Sequence, residues 1–281
     1  MARPSLLYLT DPEYPARGRR YGDEDQWLSA RLRDRFTVAL AHPVDAVARM
    51  DGFDAVVLRN TGPVAGHLAA YDAFRAEAAA RGTRVFTDLE ARGDARGKQY
   101  LLDLSAAGWP VIPTVARAED LDRLPTADAY VTKPIRGADS VGLEVVPPDA
   151  LATLDLDGTT LVQPRVAIAY EVSFTFVDRT FHYALHAPDP DRRWELVPYA
   201  PTAADREVAQ RFVDWNGVEH GIQRIDCCRT DTGELLLVEV EDLNPYLSLD
   251  RVPPAVRDRF VTAVMASLDD LLAGRRHPPG G

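Results

Sequence analysis

The sequence predicts an α/β (α+β) protein in which a mostly parallel sheet precedes a set of antiparallel strands. Residues 1–88 alternate short apolar runs with helical segments, which is the order of a parallel sheet with helices on its faces. From residue 129 onward, apolar runs follow one another across glycine-rich or polar turns, which favours antiparallel hairpins. These patterns indicate an N-terminal α/β unit followed by subdomains built on hairpins.

Length and composition exclude several classes of protein. The chain has 281 residues, enough for two or three subdomains, and 46% hydrophobic with 27% charged residues is usual for a soluble globular protein. The net charge of −11 argues against a nucleic-acid partner, because no basic stripe is present to neutralise phosphates. No apolar run could span a bilayer or serve as a signal peptide. Cys227 and Cys228 are adjacent, point to opposite faces of a strand and form no ordinary disulfide. We therefore expect a cytoplasmic protein with neither a nucleic-acid nor a membrane partner.

The sequence of the N-terminal unit predicts four strands and three helices. The strands fall at 6–9, 36–41, 55–58 and 84–86, and the helices at 27–35, 44–50 and 67–81. Ligands of such sheets bind beyond the carboxyl ends of the strands. Arg59 and Asn60 follow the third strand and are therefore candidates for substrate contact, although they also fit ordinary loop positions.

A helix is predicted over 94–107, with Asp94 as its N-cap and Gly108 just after its end. It carries Lys98 on its first turns, where a solvated surface lysine is the alternative interpretation.

A glycine-rich loop then joins two predicted strands, 129–134 and 143–146. The first strand carries Lys133, and the loop runs from Gly137 through Ser140 to Gly142. Glycines let the backbone approach a ligand closely, and successive N–H groups can bind an anion. The spacing is not that of a P-loop, because Leu143 follows in place of Lys-Ser/Thr and a strand follows in place of a helix.

The C-terminal half predicts strands at 160–166, 171–177 and 181–186. A helix follows Thr202, and a last helix begins at Pro254, which suits a first helical turn.

The stretch from 221 to 250 predicts a β-hairpin that gathers acidic groups. Side chains alternate between faces of a strand, so an even loop places Arg224, Asp226 and Cys228 on one face with Leu235, Leu237, Glu239 and Glu241. The other face then holds an apolar set for the core: Ile225, Cys227, Leu236, Val238 and Val240. Three neighbouring carboxylates repel one another, and a hard cation such as Mg²⁺ relieves that repulsion. A solvated strand face with Arg224 paired to an acid is the alternative.

The end of this hairpin resembles the metal-binding end of the ATP-grasp ligases. Arg224-x-Asp226, Glu239-x-Glu241 and the following Asn-Pro match the pattern of that family in order, with Glu241 where asparagine is more usual.

Three further segments resemble the same family in the family's order. GKQYLLDLSAAGWPVIPT resembles the segment in which a lysine starts a helix that ends in a proline-rich turn. The strand, Lys133, proline and glycine-rich loop resemble the flap that closes over the triphosphate. LVQPRV, followed by Glu171, resembles the hinge that holds adenine and ribose. The sequence is closest in kind to ligases of the prokaryotic glutathione synthetase and D-alanine ligase type.

The resemblance implies an ATP-grasp fold in three parts. These are an N-terminal α/β substrate domain (1–88), a central subdomain with the flap (89–162) and a C-terminal antiparallel-sheet subdomain with the metal site (163–274), before a tail at 275–281.

The resemblance also implies roles for individual residues. Nucleotide contacts are expected from Lys98, Lys133, Gly137, Ser140, Gly142, Gln163, Arg165, Val166 and Glu171. Mg²⁺, or Mn²⁺ as an alternative, is expected on Asp226, Glu239 and Glu241. Catalytic charge stabilisation is expected from Arg224, Lys133 and one or more of His186, Arg192 and Arg193. Substrate contacts are expected from Asn244 and, by the strand-end argument above, from Arg59 and Asn60.

The implied activity is an ATP- and Mg²⁺-dependent carboxylate–amine ligase that forms an amide or peptide bond through an acyl phosphate. Its partners would be small carboxylate and amine substrates, and a homodimer is compatible with the resemblance. Two alternatives remain open: a phosphotransferase or cyclising enzyme that uses no external amine, and a nucleotide-binding module without turnover.

Overall fold

The computed structural model describes residues 2–16, 19–60, 66–137, 140–189 and 192–276. Its strands are, in chain order, β1 (Ser5–Thr10), β2 (Pro15–Ala16), β3 (Arg19–Arg20), β4 (Thr37–Ala41), β5 (Ala55–Asn60), β6 (Val85–Phe86), β7 (Val115–Arg117), β8 (Tyr130–Pro134), β9 (Glu144–Val146), β10 (Asp157–Pro164), β11 (Ile168–Val177), β12 (Thr180–Ala187), β13 (Val197–Tyr199), β14 (Ile222–Thr230) and β15 (Leu235–Glu241). Its α-helices are α1 (Tyr21–Leu32), α2 (Ala46–Arg49), α3 (Leu68–Arg81), α4 (Tyr100–Ala106), α5 (Ala203–Asn216) and α6 (Pro254–Leu272).

The N-terminal sheet has the strand order β4-β1-β5-β6 and is parallel throughout. Its central strand β1 is apolar on both faces because helices cover both. Leu6 and Tyr8 pack in a core with α1 and α6, whereas Leu7 and Leu9 pack in a second core with α2 and α3. The predicted parallel sheet is therefore confirmed.

Two antiparallel sheets follow. The central sheet has the order β7-β10-β8-β9, and the glycine-rich loop joins β8 to β9. The C-terminal sheet has the order β13-β12-β11-β14-β15. One face of this sheet packs against α4 and α5 through Phe174, Ile225 and Phe212. Its other face packs against α6 through Tyr183 and Leu185 and lines the cleft described below.

Helix α6 joins the two ends of the chain. Phe260, Val264 and Leu268 recur every four residues and are buried in one core with Tyr8 of β1 and Tyr183 of β12. The N-terminal sheet and the C-terminal sheet therefore share a core. None of the helices within the described residues is long and apolar enough to cross a membrane.

Three predicted helices differ from those observed, and the one predicted at 44–50 is the short helix α2 between two 3₁₀ turns. The helix predicted over 94–107 is a 3₁₀ turn at Asp94–Arg96 followed by α4, and Gly97 between them has a φ of 92°. Asp94 is not an N-cap: its carboxylate accepts the backbone N–H groups of Asp242 and Leu243 at 2.8 and 2.9 Å. Helix α1 begins at Tyr21, several residues earlier than predicted, and carries acidic residues in its first turn, which the helix dipole favours.

Other local predictions are confirmed. The capping box at the start of α5 forms between Thr202 and Asp205, and Gly108 follows α4 with a φ of 69°. The proposed boundaries at 88/89 and 162/163 stay predictions; the second lies within β10. Most of the predicted tail, residues 277–281, lies outside the described residues.

Candidate active site

The acidic face of the hairpin forms as predicted at its open end. Arg224 of β14 lies opposite Glu241 of β15, and Asp226 lies opposite Glu239. Directly opposed side chains in an antiparallel pair are near neighbours. The four charged groups therefore share one face.

A β-bulge corrects the rest of the predicted parity. The register shifts after Asp226, so that Cys227 pairs with Leu237 and leaves Val238 as the extra residue. Leu235 and Leu237, predicted on the acidic face, are instead buried in the core with Cys227. Val238, predicted in the core, lines the cleft. One inserted residue reverses which face each neighbour occupies.

Arg224 is the centre of the charge arrangement. Its guanidinium donates two hydrogen bonds to the Asp226 carboxylate, each at 2.8 Å, and lies 2.9 Å from Oε2 of Glu241. It also donates to the backbone carbonyl of Tyr246. Burial raises the pKa of Glu241 well above its usual range, Arg224 opposes that rise, and the charges of Asp226 and Glu239 add to it.

Lys98 supplies the second cation of the acidic face. Its Nζ lies 2.7 Å from Oε1 of Glu239, and the two side chains are 9% and 18% exposed. Burial lowers the pKa of Lys98, but the neighbouring acids, Glu239 first, raise it further, so the net shift is upward. Lys98 is therefore a buried ion-pair partner, not a solvated surface lysine.

The donor chemistry of the acidic face suits a hard divalent cation, since Asp226, Glu239 and Glu241 offer carboxylate oxygens. Arg224 pairs with Asp226 and Glu241, and Lys98 pairs with Glu239. Among the residues that the structure describes, no group of three His, Cys, Asp or Glu side chains has an arrangement that could hold a metal ion. A metal would have to displace at least one of these cations, and the assignment of the three carboxylates as metal ligands stays a prediction.

A larger cleft lies between the central and C-terminal sheets. Its volume is about 610 Å³, within the usual range for small-molecule sites. Five of the predicted nucleotide-binding residues share this cleft as lining residues: Lys133, Gln163, Arg165, Val166 and Glu171. The side chain of Gln163 is buried and donates to Thr114 at 2.8 Å, which ties the hinge to the turn after α4.

Lys133 projects into this cleft from β8 and is 9% exposed. Burial lowers its pKa to about 8, although the nearby Glu239 carboxylate favours the charged form. Of the 32 basic residues in the chain, only Lys98 and Lys133 are lysines. Both lie at this site, and the rarity of lysine in the chain could have indicated them independently of any motif.

The flap is described only in part, because residues 138 and 139 lie outside the described ranges. Ser140 has a φ of 59° and lines the smaller cavity beside the acidic hairpin. Gly142 has a φ of 75°, and a Cβ there would lie 2.8 Å from Pro134 Cγ. This position therefore requires glycine for both its conformation and its contact. Neither Gly137 nor Gly142 is among the residues that line the two cavities.

The cleft and the smaller cavity meet. The smaller cavity, of about 140 Å³, includes Arg224 and the three carboxylates of the acidic face. Glu171, Arg193 and Val238 line both. Arg193 pairs with Glu171 through contacts of 2.8 and 2.9 Å. One continuous site therefore has a large nucleotide-sized end and a small charged end.

Of the three candidate cations near this junction, Arg193 is the one that lines both cavities. Arg192 lies on the surface with Asp189, at 2.9 Å. His186 is opposite Val172 in the sheet, and its ring packs against Tyr170 and Tyr199 on the face away from Glu171. Burial lowers its pKa. Strand alternation turns the His186 ring away from Glu171, so this arrangement favours Arg193 over His186, and the choice among the three cations stays a prediction.

Of the predicted substrate residues, Arg59 and Asn244 do not line the site. Arg59 is 1% exposed and pairs with Glu24 and Asp25, each at 3.2 Å, so it does not face the cleft. The side chain of Asn60 lies outside the described residues. Asn244 is buried and is not among the lining residues.

Motif analysis missed several lining residues. The smaller cavity includes Ser173, Trp194, Leu196, Tyr246 and Ser248. Tyr246 and Ser248 lie within three residues after the Asn-Pro pair, so their position in the sequence could have indicated them as lining residues. Trp194 and Leu196 lie in a loop whose sequence carries none.

A flap-bearing central sheet, a hinge and an acidic hairpin lie around one cleft, and the solved structures described below share this fold, which is the ATP-grasp fold that the resemblance implied. No family model matches the chain. It is 28% identical to the cycloserine biosynthesis protein DcsG of Streptomyces lavendulae, over 73% of this chain and 80% of that protein.

Comparison with solved structures shows the same fold. The chain superposes on D-cycloserine synthetase DcsG with a TM-score of 0.74 and 24% identity, over 94% of this chain and 99% of that one. It superposes on D-alanine–D-alanine ligase from Bacillus anthracis, complexed with ATP, with a TM-score of 0.69 and 12% identity, over 96% and 98% of the two chains. The ATP-grasp ligase PsnB, complexed with a variant of its minimal precursor, Mg and ADP, gives 0.65 and 16%, over 95% and 99%.

Proposed function

We propose that the protein is an ATP- and Mg²⁺-dependent carboxylate–amine ligase that acts on small, amino-acid-like substrates through an acyl phosphate. A substrate carboxylate attacks the γ-phosphate of ATP and releases ADP. An amine then attacks the acyl carbon, and phosphate leaves as the amide bond forms.

The observation that carries this proposal is the continuity of the two cavities. A nucleotide in the larger cleft, between the hinge and Lys133, would point its phosphates toward the acidic hairpin, because Glu171, Arg193 and Val238 line both spaces. The reacting groups would then meet beside Arg224. Holding reactants together in this way is a major part of catalysis for phosphoryl transfer.

Each charged side chain has a defined task in this scheme. Lys133 neutralises phosphate charge from the wall of the cleft. Arg193 lies at the junction and stabilises the transferring group after Glu171 turns to the ribose hydroxyls. Arg224, held by Asp226 and Glu241, stabilises negative charge on the acyl phosphate.

With one of the neighbouring cations displaced, Asp226, Glu239 and Glu241 would hold Mg²⁺, and Mn²⁺ suits the same oxygen ligands. When bound, the cation supplies neutralisation of the phosphate oxygens. Lys98 neutralises the Glu239 carboxylate in the absence of the cation.

A second candidate is a ligase that closes a ring within one molecule. The smaller cavity, of about 140 Å³, lies below the usual range of ligand pockets and has room for one small substrate. DcsG is named a D-cycloserine synthetase, and its sequence is similar to this chain. Such an enzyme would use the same residues without an external amine.

ADP release across a panel of amino acids, dipeptides and amino-acid derivatives tests both candidates. Release that requires two compounds supports intermolecular ligation, and release with one compound supports ring closure. The product is identified by mass, since loss of one water relative to the substrates marks a new amide. A nucleotide-binding module would bind ATP and release no ADP with any compound.

A cytoplasmic location suits this function, because the reaction consumes ATP and both cysteines are free thiols. A homodimer stays a prediction.

A further inference from the structure

A buried loop follows the acidic hairpin and carries part of the smaller cavity. Residues 242–249, here called the anchor loop, have no strand or helix of their own before Leu249, yet all but Tyr246 are buried. Buried backbone groups need hydrogen-bond partners. The anchor loop obtains several of them from side chains far away in the sequence.

Asp94 accepts two N–H groups at the start of the anchor loop, and Glu24 of α1 accepts two at its end. The Oε1 atom of Glu24 accepts the N–H of Leu247 at 2.8 Å, and its Oε2 accepts the N–H of Leu249 at 3.1 Å. Both carboxylate oxygens are therefore committed to the anchor loop. The Glu24 side chain is 5% exposed, so solvent does not replace these bonds easily.

Arg59 of β5 completes the attachment. It donates to the carbonyl of Pro245 at 2.8 Å and pairs with Glu24 at 3.2 Å. Asp25 receives a second contact from Arg59 and hydrogen bonds from Tyr8 and Thr10, at 2.8 and 2.6 Å. The N-terminal sheet thereby fixes the direction of both charged side chains.

The anchor loop in turn contacts the reacting end of the site. The carbonyl of Tyr246 accepts a hydrogen bond from Arg224, and Tyr246 and Ser248 line the smaller cavity. Tyr246 lies between Pro245 and Leu247, the two residues held by Arg59 and Glu24. A shift of this attachment would move the Arg224 acceptor.

The geometry points to Glu24 and Arg59 as positioning residues of the N-terminal domain that fix the anchor loop and, through Tyr246, aim Arg224 at the reacting acyl group. The catalytic role of Glu24 and Arg59 rests on the ligase function proposed above, whereas their attachment of the anchor loop does not. A buried ion pair costs desolvation that an apolar pair would avoid, so its use here favours a role in orientation.

Hydrogen exchange tests the structural part without any substrate. In Glu24→Ala, exchange at the amides of Leu247 and Leu249 should accelerate by about tenfold, the change expected for one lost hydrogen bond. Glu24→Gln keeps one acceptor oxygen and should protect at least one of these amides. If Glu24→Ala does not fold, exchange at the same amides is measured in Arg59→Lys, which keeps the charge.

Kinetics of the intact protein test the catalytic part, with the substrate found in the ADP-release screen. Glu24→Ala should lower kcat by about tenfold, with partial recovery in Glu24→Gln. The dissociation constant of a non-hydrolysable ATP analogue should change by less than about twofold, because the larger cleft has no contact with Glu24.

Asp178→Asn is the matched control. Asp178 is also a buried carboxylate, accepting from Gly221 at 2.9 Å and Ser267 at 2.6 Å, outside the anchor loop. The Asp178→Asn substitution should leave hydrogen exchange in the anchor loop and kcat unchanged.

Unchanged exchange at Leu247 and Leu249 would overturn the proposal. So would equal losses of kcat and nucleotide affinity in Glu24→Ala and Asp178→Asn, since that pattern reports general destabilisation. If exchange accelerates in Glu24→Ala but the wild-type protein releases no ADP with any compound, the attachment stands and the ligase function is ruled out.

Discussion

Replacing Glu239 by glutamine perturbs the acidic face with little change of shape. Glu239 lies opposite Asp226 and 2.7 Å from Lys98. If the three carboxylates hold the catalytic cation, the loss of one charge should lower turnover by at least about 100-fold, since removing one preorganised group typically costs roughly 2.7–4 kcal/mol. Raising the Mg²⁺ concentration should restore part of the rate.

The same substitution has a smaller effect on stability. Breaking a buried ion pair can cost about 3–5 kcal/mol. Here the glutamine oxygen still accepts from Lys98, and Lys98 keeps the acidic neighbours Asp94 and Glu241. We therefore expect a loss of about 1–2 kcal/mol, close to one hydrogen bond. For a chain of this length that lowers Tm by roughly 2–8 °C.

The assay is ADP release against Mg²⁺ concentration, with circular dichroism melting as the folding control. Glu234→Gln is the matched substitution, because Glu234 is exposed in the turn of the same hairpin; its rate and Mg²⁺ dependence should be those of the wild type. A folded Glu239→Gln protein with wild-type rate and wild-type Mg²⁺ dependence would refute the metal assignment.

Four further outcomes are expected. Lys133→Met should weaken binding of an ATP analogue by ~1.5–3 kcal/mol, the value of a charged hydrogen bond; titration calorimetry with an unaltered dissociation constant would remove Lys133 from the nucleotide site. Phosphates favour the charged form of Lys133, whose pKa is lowered to about 8 without ligand, so binding should take up a proton near pH 8 and weaken by about tenfold from pH 7 to 9; equal affinities at both pH values would contradict this. An amine-reactive reagent should label Lys133 faster than the ion-paired Lys98, and the ATP analogue should protect it, as peptide mass mapping can measure. Arg193→Ala should lower turnover by at least about tenfold while His186→Ala changes it little, and the reverse order in ADP release would show that His186 reaches the phosphate.

The chemistry of the site could be predicted from the sequence because it depends on residue type and order. Lys133, Gln163 and Glu171 follow one another along strands whose alternation is visible in the sequence, and they do line one cleft. The acidic face at Asp226 and Glu239 was also predictable, because residues two apart share a face within each strand and the register shift lies on the turn side of this pair.

Contacts between distant segments could not be predicted in this way. Arg59 reads as a loop cation at a strand end, and only the approach of α1 and the anchor loop makes it a buried partner of Glu24. Lys98 reads as a surface lysine until the 3₁₀ turn places it against Glu239. In both cases burial depends on packing between segments far apart in sequence, which local patterns do not record.

The sequence by itself therefore determined the class of fold, the order of the nucleotide and acidic segments, and the chemical nature of the charged groups, because periodicity and residue type are local properties. The tertiary structure alone decided the bulge at Val238, the packing of His186 against Tyr199 and the attachment of the anchor loop to the N-terminal domain. The physical reason is that one inserted residue reverses strand parity, and that long-range packing decides which charges lose their water and must find partners.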